Sequence, residues 1–127
     1  MSDRGTILVV DDQPQNLRLA VSLFGGGGYE VRTASSLRAA LEELRAWVPD
    51  LILSDLIMGD GSGYELIRLV KADPRLAAIP FIFVTSRSTP LRHREIGAAL
   101  GAAQVIFRPA DPQMLLAVVR RHLRSST

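Results

Sequence analysis

The chain has 127 residues, a formal net charge of +2 and no cysteine. This length predicts a single domain that buries a core without disulfides, and the lack of cysteine excludes a thiolate zinc site. No apolar run approaches the roughly 20 residues that cross a bilayer, and the basic residues are dispersed along the chain. We therefore expect a cytoplasmic protein that contacts neither a membrane nor nucleic acid directly.

Five short apolar segments predict the strands of a sheet. Four of them are continuous apolar runs, which are typical of strands covered on both faces, and the segment at 29–33 is weaker. In chain order, the predicted strands are residues 7–10, 29–33, 51–53, 81–84 and 105–107.

The segments after these strands have the spacing of amphipathic helices. Proline suits a first helical turn, and serine or aspartate suits an N-cap. The prolines are Pro14, Pro90 and Pro112, and the caps are Ser36, Ser62 and Asp111. In the fourth helix, Ile96, Ala99 and Leu100 fall on one face, which we expect to pack on the sheet.

The alternation of strand and helix predicts an α/β fold of the doubly wound, flavodoxin-like type. We expect a five-stranded parallel sheet in the order 2-1-3-4-5, with five helices distributed over both faces. No repeat, low-complexity tail or linker interrupts the pattern, so residues 1–127 are expected to form one domain without an output domain.

Acidic residues follow two of the predicted strands at their carboxyl ends. Asp11 and Asp12 come after strand one, and Asp55 comes after strand three. Strands one and three are neighbours in the 2-1-3-4-5 order, so the three carboxylates are expected to meet at one edge of the sheet. They repel one another unless a cation neutralises them, and Mg²⁺ best matches a few oxygen ligands plus a phosphate.

A carboxylate in such a site is able to attack phosphorus and become an acyl phosphate. Thr85 ends strand four and offers a hydroxyl, and Arg108 follows strand five and offers a positive charge for the transferred group. Taken alone, Thr85 is also consistent with an ordinary strand end, and Arg108 with a surface charge.

Four motifs together resemble response-regulator receiver domains of bacterial two-component systems. They are ILVVDD, LILSDLIM, FIFVTS and GAAQVIFRP, which occur in this order across essentially the whole chain. The resemblance implies that a histidine kinase or phosphotransfer protein donates a phosphoryl group to Asp55. It also implies Mg²⁺ ligation by Asp12 and Asp55, by Asp11 through water, and by the backbone carbonyl of Ile57.

The resemblance assigns further roles at the other strand ends. Thr85 is implied as the switch hydroxyl, Arg108 as a phosphoryl-binding cation, and the bond before Pro109 as a cis peptide. Phosphorylation in this family changes a face formed by helix four, strand five and helix five, which would bind a downstream protein. We expect a phosphoacceptor rather than an enzyme that turns over a separate substrate, and the oligomeric state stays open.

Three positions depart from the family pattern. Arg108 stands where the family has lysine, Val105 stands at the usual aromatic switch position, and Gly59 stands where proline is common. Arginine is a planar fork rather than a point charge, so it could pair with Asp55 and hold the site in one state. This leaves an alternative, a degenerate receiver that binds partners without phosphorylation. Gly59 and two nearby glycines also predict a flexible loop after Asp55.

Two more expectations concern the fate of an acyl phosphate. Arg87 lies two residues past Thr85 and, together with Ile57, is expected to shield the site mouth from water and slow dephosphorylation. A small phosphatase with an aspartyl nucleophile would need a second aspartate two residues after Asp55. That position is Ile57, which disfavours the phosphatase.

Overall fold

The computed structural model describes the backbone of residues 5–86 and 92–124, and the side chains of 5–85 and 95–123. Its strands are β1 (Thr6–Val10), β2 (Glu30–Ala34), β3 (Leu51–Ser54), β4 (Ile57–Met58), β5 (Gly61–Ser62), β6 (Phe81–Ser86) and β7 (Gln104–Arg108). Its helices are α1 (Pro14–Gly26), α2 (Leu37–Ala46), α3 (Gly63–Ala72), α4 (Arg92–Ala99) and α5 (Pro112–Arg124).

The main sheet has the order β2-β1-β3-β6-β7, and every neighbouring pair is parallel. If the five long strands are numbered in chain order, this is 2-1-3-4-5, so the predicted fold class and strand order are confirmed. The strands begin or end within two residues of the predicted bounds. The crossover order changes direction between β1 and β3, where doubly wound sheets open a crevice at their carboxyl edge.

Both faces of the sheet are covered, which explains why its strands are continuous apolar runs. Successive side chains of a strand point to opposite faces. Leu8 and Val10 pack in one buried cluster with residues of α2 and α3, while Ile7 and Val9 pack in a second with residues of α1 and α5. Within the described residues, no helix is long and apolar enough to span a bilayer.

The predicted helix starts are present wherever the structure describes them. Ser36 Oγ accepts a hydrogen bond from the Ala39 backbone N–H at 3.0 Å, and Ser62 Oγ accepts one from Glu65 at 3.3 Å. Asp111 Oδ1 does the same for the Gln113 N–H. Pro14 and Pro112 open α1 and α5, whereas Pro90 lies outside the described residues.

The packing face of α4 differs in part from the prediction. Leu100, just past the helix, packs against the core as expected, but Ile96 is 40% exposed and Ala99 is exposed, whereas Gly97 is buried. A Cβ atom at position 97 would come within 2.8 Å of Val105 Cγ2 and 3.3 Å of the Phe83 ring. The helix therefore packs closely on β6 and β7 through a residue without a side chain, which an analysis of apolar spacing does not detect.

Gly63 allows a similarly close approach at the start of α3. It is buried, and a Cβ there would collide with the backbone carbonyl oxygen of Asp55 and come within 2.8 Å of the Phe83 ring. Its φ is not positive, so the requirement for glycine comes from lack of space. Gly63 thus fixes how closely α3 lies against the residue that follows β3.

Replacing Gly63 by alanine should lower the free energy of unfolding by about 1–3 kcal/mol, the usual cost of forcing an extra methyl group into a packed site. Helix propensity alone would predict the opposite sign. Gly59→Ala is the matched control, because its added Cβ meets no atom within 4 Å. Urea denaturation of both variants tests this, and equal stability of the two would contradict it.

Candidate functional site

The carboxyl ends of β1 and β3 bring the acidic residues together. Val10 pairs with Ser54 in the parallel register, and the Asp55 backbone N–H donates to the Val10 carbonyl at 3.0 Å. The residues that follow these strands are therefore adjacent. One carboxylate oxygen each from Asp11, Asp12 and Asp55 lies within 4.8 Å of the other two, so the structure brings together the three residues that the sequence placed at this edge.

Asp11 is almost completely buried, with 1% of its surface exposed. Its Oδ1 accepts a hydrogen bond from the Gln13 backbone N–H at 2.9 Å. Its Oδ2 accepts one from Asn16 Nδ2 at 3.2 Å and one from Arg108 Nη2 at 2.6 Å. Three donors therefore fix this carboxylate. Asn16 was not predicted as part of the site, although its place in the first helical turn after the aspartate pair was a usable signal.

Opposing effects act on the pKa of the Asp11 carboxyl. Burial raises the pKa of the Asp11 carboxyl above its usual value, and the negative charge of Asp55 adds to the increase. The hydrogen bond from Gln13 and the positive charge of Arg108 lower the pKa and so offset part of this increase. A further cation in the cluster would favour the ionised form in the same way as Arg108 does.

Asp55 is more accessible than Asp11, since 14% of its side chain is exposed. Its Oδ1 accepts a hydrogen bond from the Leu56 backbone N–H at 2.7 Å. Its Oδ2 lies 3.5 Å from Arg108 Nη1. Asp12 is exposed at the outer side of the cluster. The site therefore contains one buried carboxylate and two that a ligand in solution can reach.

Arg108 connects two of the carboxylates. It is the last residue of β7, two strands away from β3, so its side chain reaches past the end of β6. One guanidinium nitrogen bonds Asp11 and the other faces Asp55, and 31% of the arginine side chain is exposed. Arg108 was expected as a partner of Asp55; in the structure its shorter contact is with Asp11.

The structure describes three of the remaining candidate residues. Thr85 lies near the end of β6 and is buried. Ile57 opens β4 two residues after Asp55, with 71% of its surface exposed. The Arg108–Pro109 peptide bond is cis. Arg87, proposed to cover the site mouth, lies outside the described residues.

The loop after Asp55 forms an antiparallel hairpin of β4 and β5. Its glycines had predicted a flexible loop at this position. Asp60 at its tip holds the hairpin to α2. Its two carboxylate oxygens accept hydrogen bonds from the backbone N–H groups of Leu37 at 2.8 Å and Arg38 at 3.0 Å. These groups lie in the first turn of α2, where N–H groups lack partners within the helix and an acidic side chain is favourable.

A cavity of about 720 Å³ opens beside the cluster between α1 and α5. Leu19 and Ala20 of α1 and Leu115 of α5 contribute to its mainly apolar lining, and Asp55 and Arg108 contribute polar groups to it.

Comparisons with known proteins agree with this geometry. Residues 7–120 match the family profile of the response regulator receiver domain. A Vibrio cholerae protein named a probable cyclic di-GMP phosphodiesterase is 38% identical over 120 residues, covering 94% of this chain and 27% of that protein. The structure of the chemotaxis response regulator CheY4 of Vibrio cholerae aligns with a TM-score of 0.85 at 28% identity, covering 92% of this chain and 97% of that one.

A signal receiver domain of a histidine kinase from Syntrophus aciditrophicus aligns with a TM-score of 0.87 at 31% identity, covering 95% of this chain and 91% of that one. Because the family profile matches well over half of the sequence, the chain belongs to the response regulator receiver domain family. The chain spans about a quarter to about half of the length of the curated relatives it matches.

Removing the Asp60 carboxylate should destabilise the protein in a pH-dependent manner. Hydrogen bonds from the Arg38 and Leu37 backbone lower the pKa of Asp60. A lowered pKa means that the stabilisation is complete above the pKa of the unfolded chain and is lost as pH falls through the folded value. We expect Asp60→Ala to lower the melting temperature at neutral pH and to have little effect once the carboxyl is protonated.

Glu42→Gln is the control for this measurement. Glu42 is an exposed acidic residue on α2, the helix that Asp60 contacts, and its Oε1 lies 3.9 Å from Arg38 Nε. Exposed ion pairs of this type contribute little to stability. Melting curves at neutral and acidic pH should therefore show a pH-dependent loss for Asp60→Ala alone. A loss of the same size at both pH values would show that the carboxylate charge is not responsible.

Proposed function

We propose that this receiver takes a phosphoryl group from a histidine kinase or phosphotransfer protein onto Asp55, with the help of Mg²⁺, and thereby changes a protein-binding surface. The observation that carries this proposal is the convergence of three carboxylates, each with an oxygen within 4.8 Å of the others, around an accessible Asp55. A neighbouring guanidinium and hydroxyl, from Arg108 and Thr85, supply the groups that a transferred phosphoryl would need.

The donor set suits Mg²⁺ because all of its atoms are oxygens and two of the carboxylates are open to solvent. Asp12 and Asp55 would bind the ion directly, Asp11 would bind it through water, and the backbone carbonyl of Ile57 would complete the protein ligands. When bound, the ion would neutralise negative charge on the carboxylates and on the transferred group.

The residues of the chain account for the transfer step. An Asp55 carboxylate oxygen attacks phosphorus, and the new P–O bond forms as the P–N bond to the donor histidine breaks, leaving the electron pair on the imidazole. Arg108 offers N–H groups to the phosphoryl oxygens, and the Thr85 hydroxyl on the intervening strand offers a further hydrogen bond. Hydrolysis of the acyl phosphate restores the carboxylate, and we expect Ile57 and Arg87 to slow it.

The phosphoryl group adds roughly 1.5 to 2 negative charges at neutral pH. This change would reorganise the face formed by α4, β7 and α5 and alter its affinity for a downstream protein. On that face, Arg121 Nη2 donates to Gln104 Oε1 at 2.9 Å. We propose no direct nucleic-acid or membrane contact and no turnover of a separate substrate. The phosphodiesterase named for the Vibrio cholerae relative belongs to a protein of which this chain covers 27%.

One observation favours a second candidate, a degenerate receiver that binds partners without phosphorylation. Arg108 already contacts Asp11 and lies 3.5 Å from Asp55, so it occupies the region where a phosphoryl group and a metal would lie. If this pairing is permanent, the site stays in one state and the fold serves as a constant docking module.

Asp55→Asn should abolish phosphorylation, because the amide lacks the nucleophilic carboxylate. Incubation of the wild-type chain with acetyl phosphate and Mg²⁺ should add one phosphoryl group by intact-mass spectrometry, and the variant should gain none. Asp50→Asn is the matched control: Asp50 lies at the opposite, amino end of β3, where its carboxylate accepts a hydrogen bond from the Thr6 backbone N–H. Loss of labelling in Asp50→Asn as well would argue against a specific site at Asp55.

Removal of the metal separates the two candidates. With EDTA present, the phosphoryl gain of the wild-type chain should disappear, and added Mg²⁺ should restore it. A wild-type chain that gains no phosphoryl group and gives no spectral response to beryllofluoride with Mg²⁺ would favour the degenerate module.

A further inference from the structure

The distribution of donors around Asp11 leaves little room for a metal on one of its oxygens. A carboxylate oxygen has about two lone-pair sites. On Asp11 Oδ2 both are directed at protein donors, Asn16 Nδ2 at 3.2 Å and Arg108 Nη2 at 2.6 Å. On Oδ1 one is used by the Gln13 backbone N–H. A metal, or a water molecule on a metal, that approaches Oδ2 therefore meets Arg108 at that position.

The charges point in the same direction. The guanidinium carries one positive charge and lies 2.6 Å from an oxygen of Asp11 and 3.5 Å from an oxygen of Asp55. A divalent ion held by the same two residues would lie close to this charge. Like charges at such separations repel one another, and a partly exposed site screens this repulsion less than bulk water does.

We propose that Arg108 is the counter-cation of the metal-free site and that Mg²⁺ binding requires its guanidinium to leave Asp11. This inference rests on the proposed function, since it concerns the same metal site. Metal binding then releases the arginine, which becomes free to hydrogen-bond an incoming phosphoryl group. The site exchanges one cation for another before phosphoryl transfer, and Mg²⁺ affinity is set by the strength of the internal ion pair.

The forked shape of the arginine guanidinium makes its pairing with Asp11 and Asp55 specific. Its two terminal nitrogens face two different carboxylates at once. A lysine carries the same charge on a single nitrogen with a compact, strongly hydrated head, so it does not present two rigidly spaced N–H groups to two partners. Exchange of arginine for lysine therefore changes the competition with the metal while the net charge of the site stays the same.

Arg108→Lys should bind Mg²⁺ about tenfold more tightly than the wild-type chain. Isothermal titration calorimetry without any phosphodonor measures this directly and does not depend on phosphorylation. A simple effect of charge predicts no change, because both side chains are positive. Arg121→Lys is the matched control, since Arg121 bonds Gln104 at the amino end of β7, the opposite end from Arg108; its Mg²⁺ affinity should equal that of the wild-type chain.

The Asp11→Asn background tests whether the effect depends on Asp11. Arg108→Lys should then give no gain in Mg²⁺ affinity relative to Asp11→Asn alone, because the neutral amide no longer pairs with the arginine. A structural readout is available in the wild-type chain: ¹⁵N NMR of the Arg108 guanidinium should show restricted rotation without metal and a shifted, averaged signal when Mg²⁺ is added.

The outcomes distinguish this inference from the proposed function. Tighter Mg²⁺ binding by the lysine variant supports the exchange of cations, and measurable binding by that variant alone supports it further. Equal or weaker binding by the lysine variant overturns the exchange and leaves the proposed function intact. Absence of Mg²⁺ binding in both proteins at millimolar concentration overturns the exchange and the metal-dependent function together.

Discussion

The repulsion among three carboxylates at one edge of the sheet is the constraint around which the rest of the structure is arranged. The register that pairs Val10 with Ser54 leaves no alternative position for Asp11 and Asp55. Asp11 is buried, where an unpaired charge is unfavourable, so three donors surround it. One guanidinium lies against two of the three carboxylates and balances part of their negative charge. A divalent ion would compete with it for the same oxygens.

Much of the fold could be predicted because both layers of helices bury the sheet. Burial on both faces leaves continuous apolar strands, and the alternation with helices restricts the order of the strands. The packing of α4 could not be predicted in the same way. Gly97 faces Val105 and Phe83 while Ile96 points outward. Apolar periodicity detects helix faces that carry apolar side chains. The contact at Gly97 depends instead on the lack of a side chain.

The site was predictable only to the level of the backbone. Strand ends determine where Asp11, Asp55 and Thr85 lie, and the sequence locates strand ends well. Hydrogen-bond partners are different, because they depend on rotamers and on loops. The contact of Asp60 with the first turn of α2 joins residues more than 20 positions apart. Arg108 has four side-chain torsions, so its preference for Asp11 is set by the finished geometry rather than by its position after a strand.

Two residues of β7, Val105 and Arg108, depart from the family pattern. They have to be considered together, because the strand connects the site to the proposed output face. Arg108 ends the strand at the carboxylates, and Val105 lies three residues earlier against Gly97 of α4. A β-branched valine has restricted side-chain torsion and no ring to turn inward, so a signal cannot pass through the rotation of an aromatic side chain at this position. Because the contact at Gly97 is already close, a change at Val105 would have to move α4 relative to the sheet. Under the proposed function, β7 would therefore transmit a change at Arg108 through backbone and helix position.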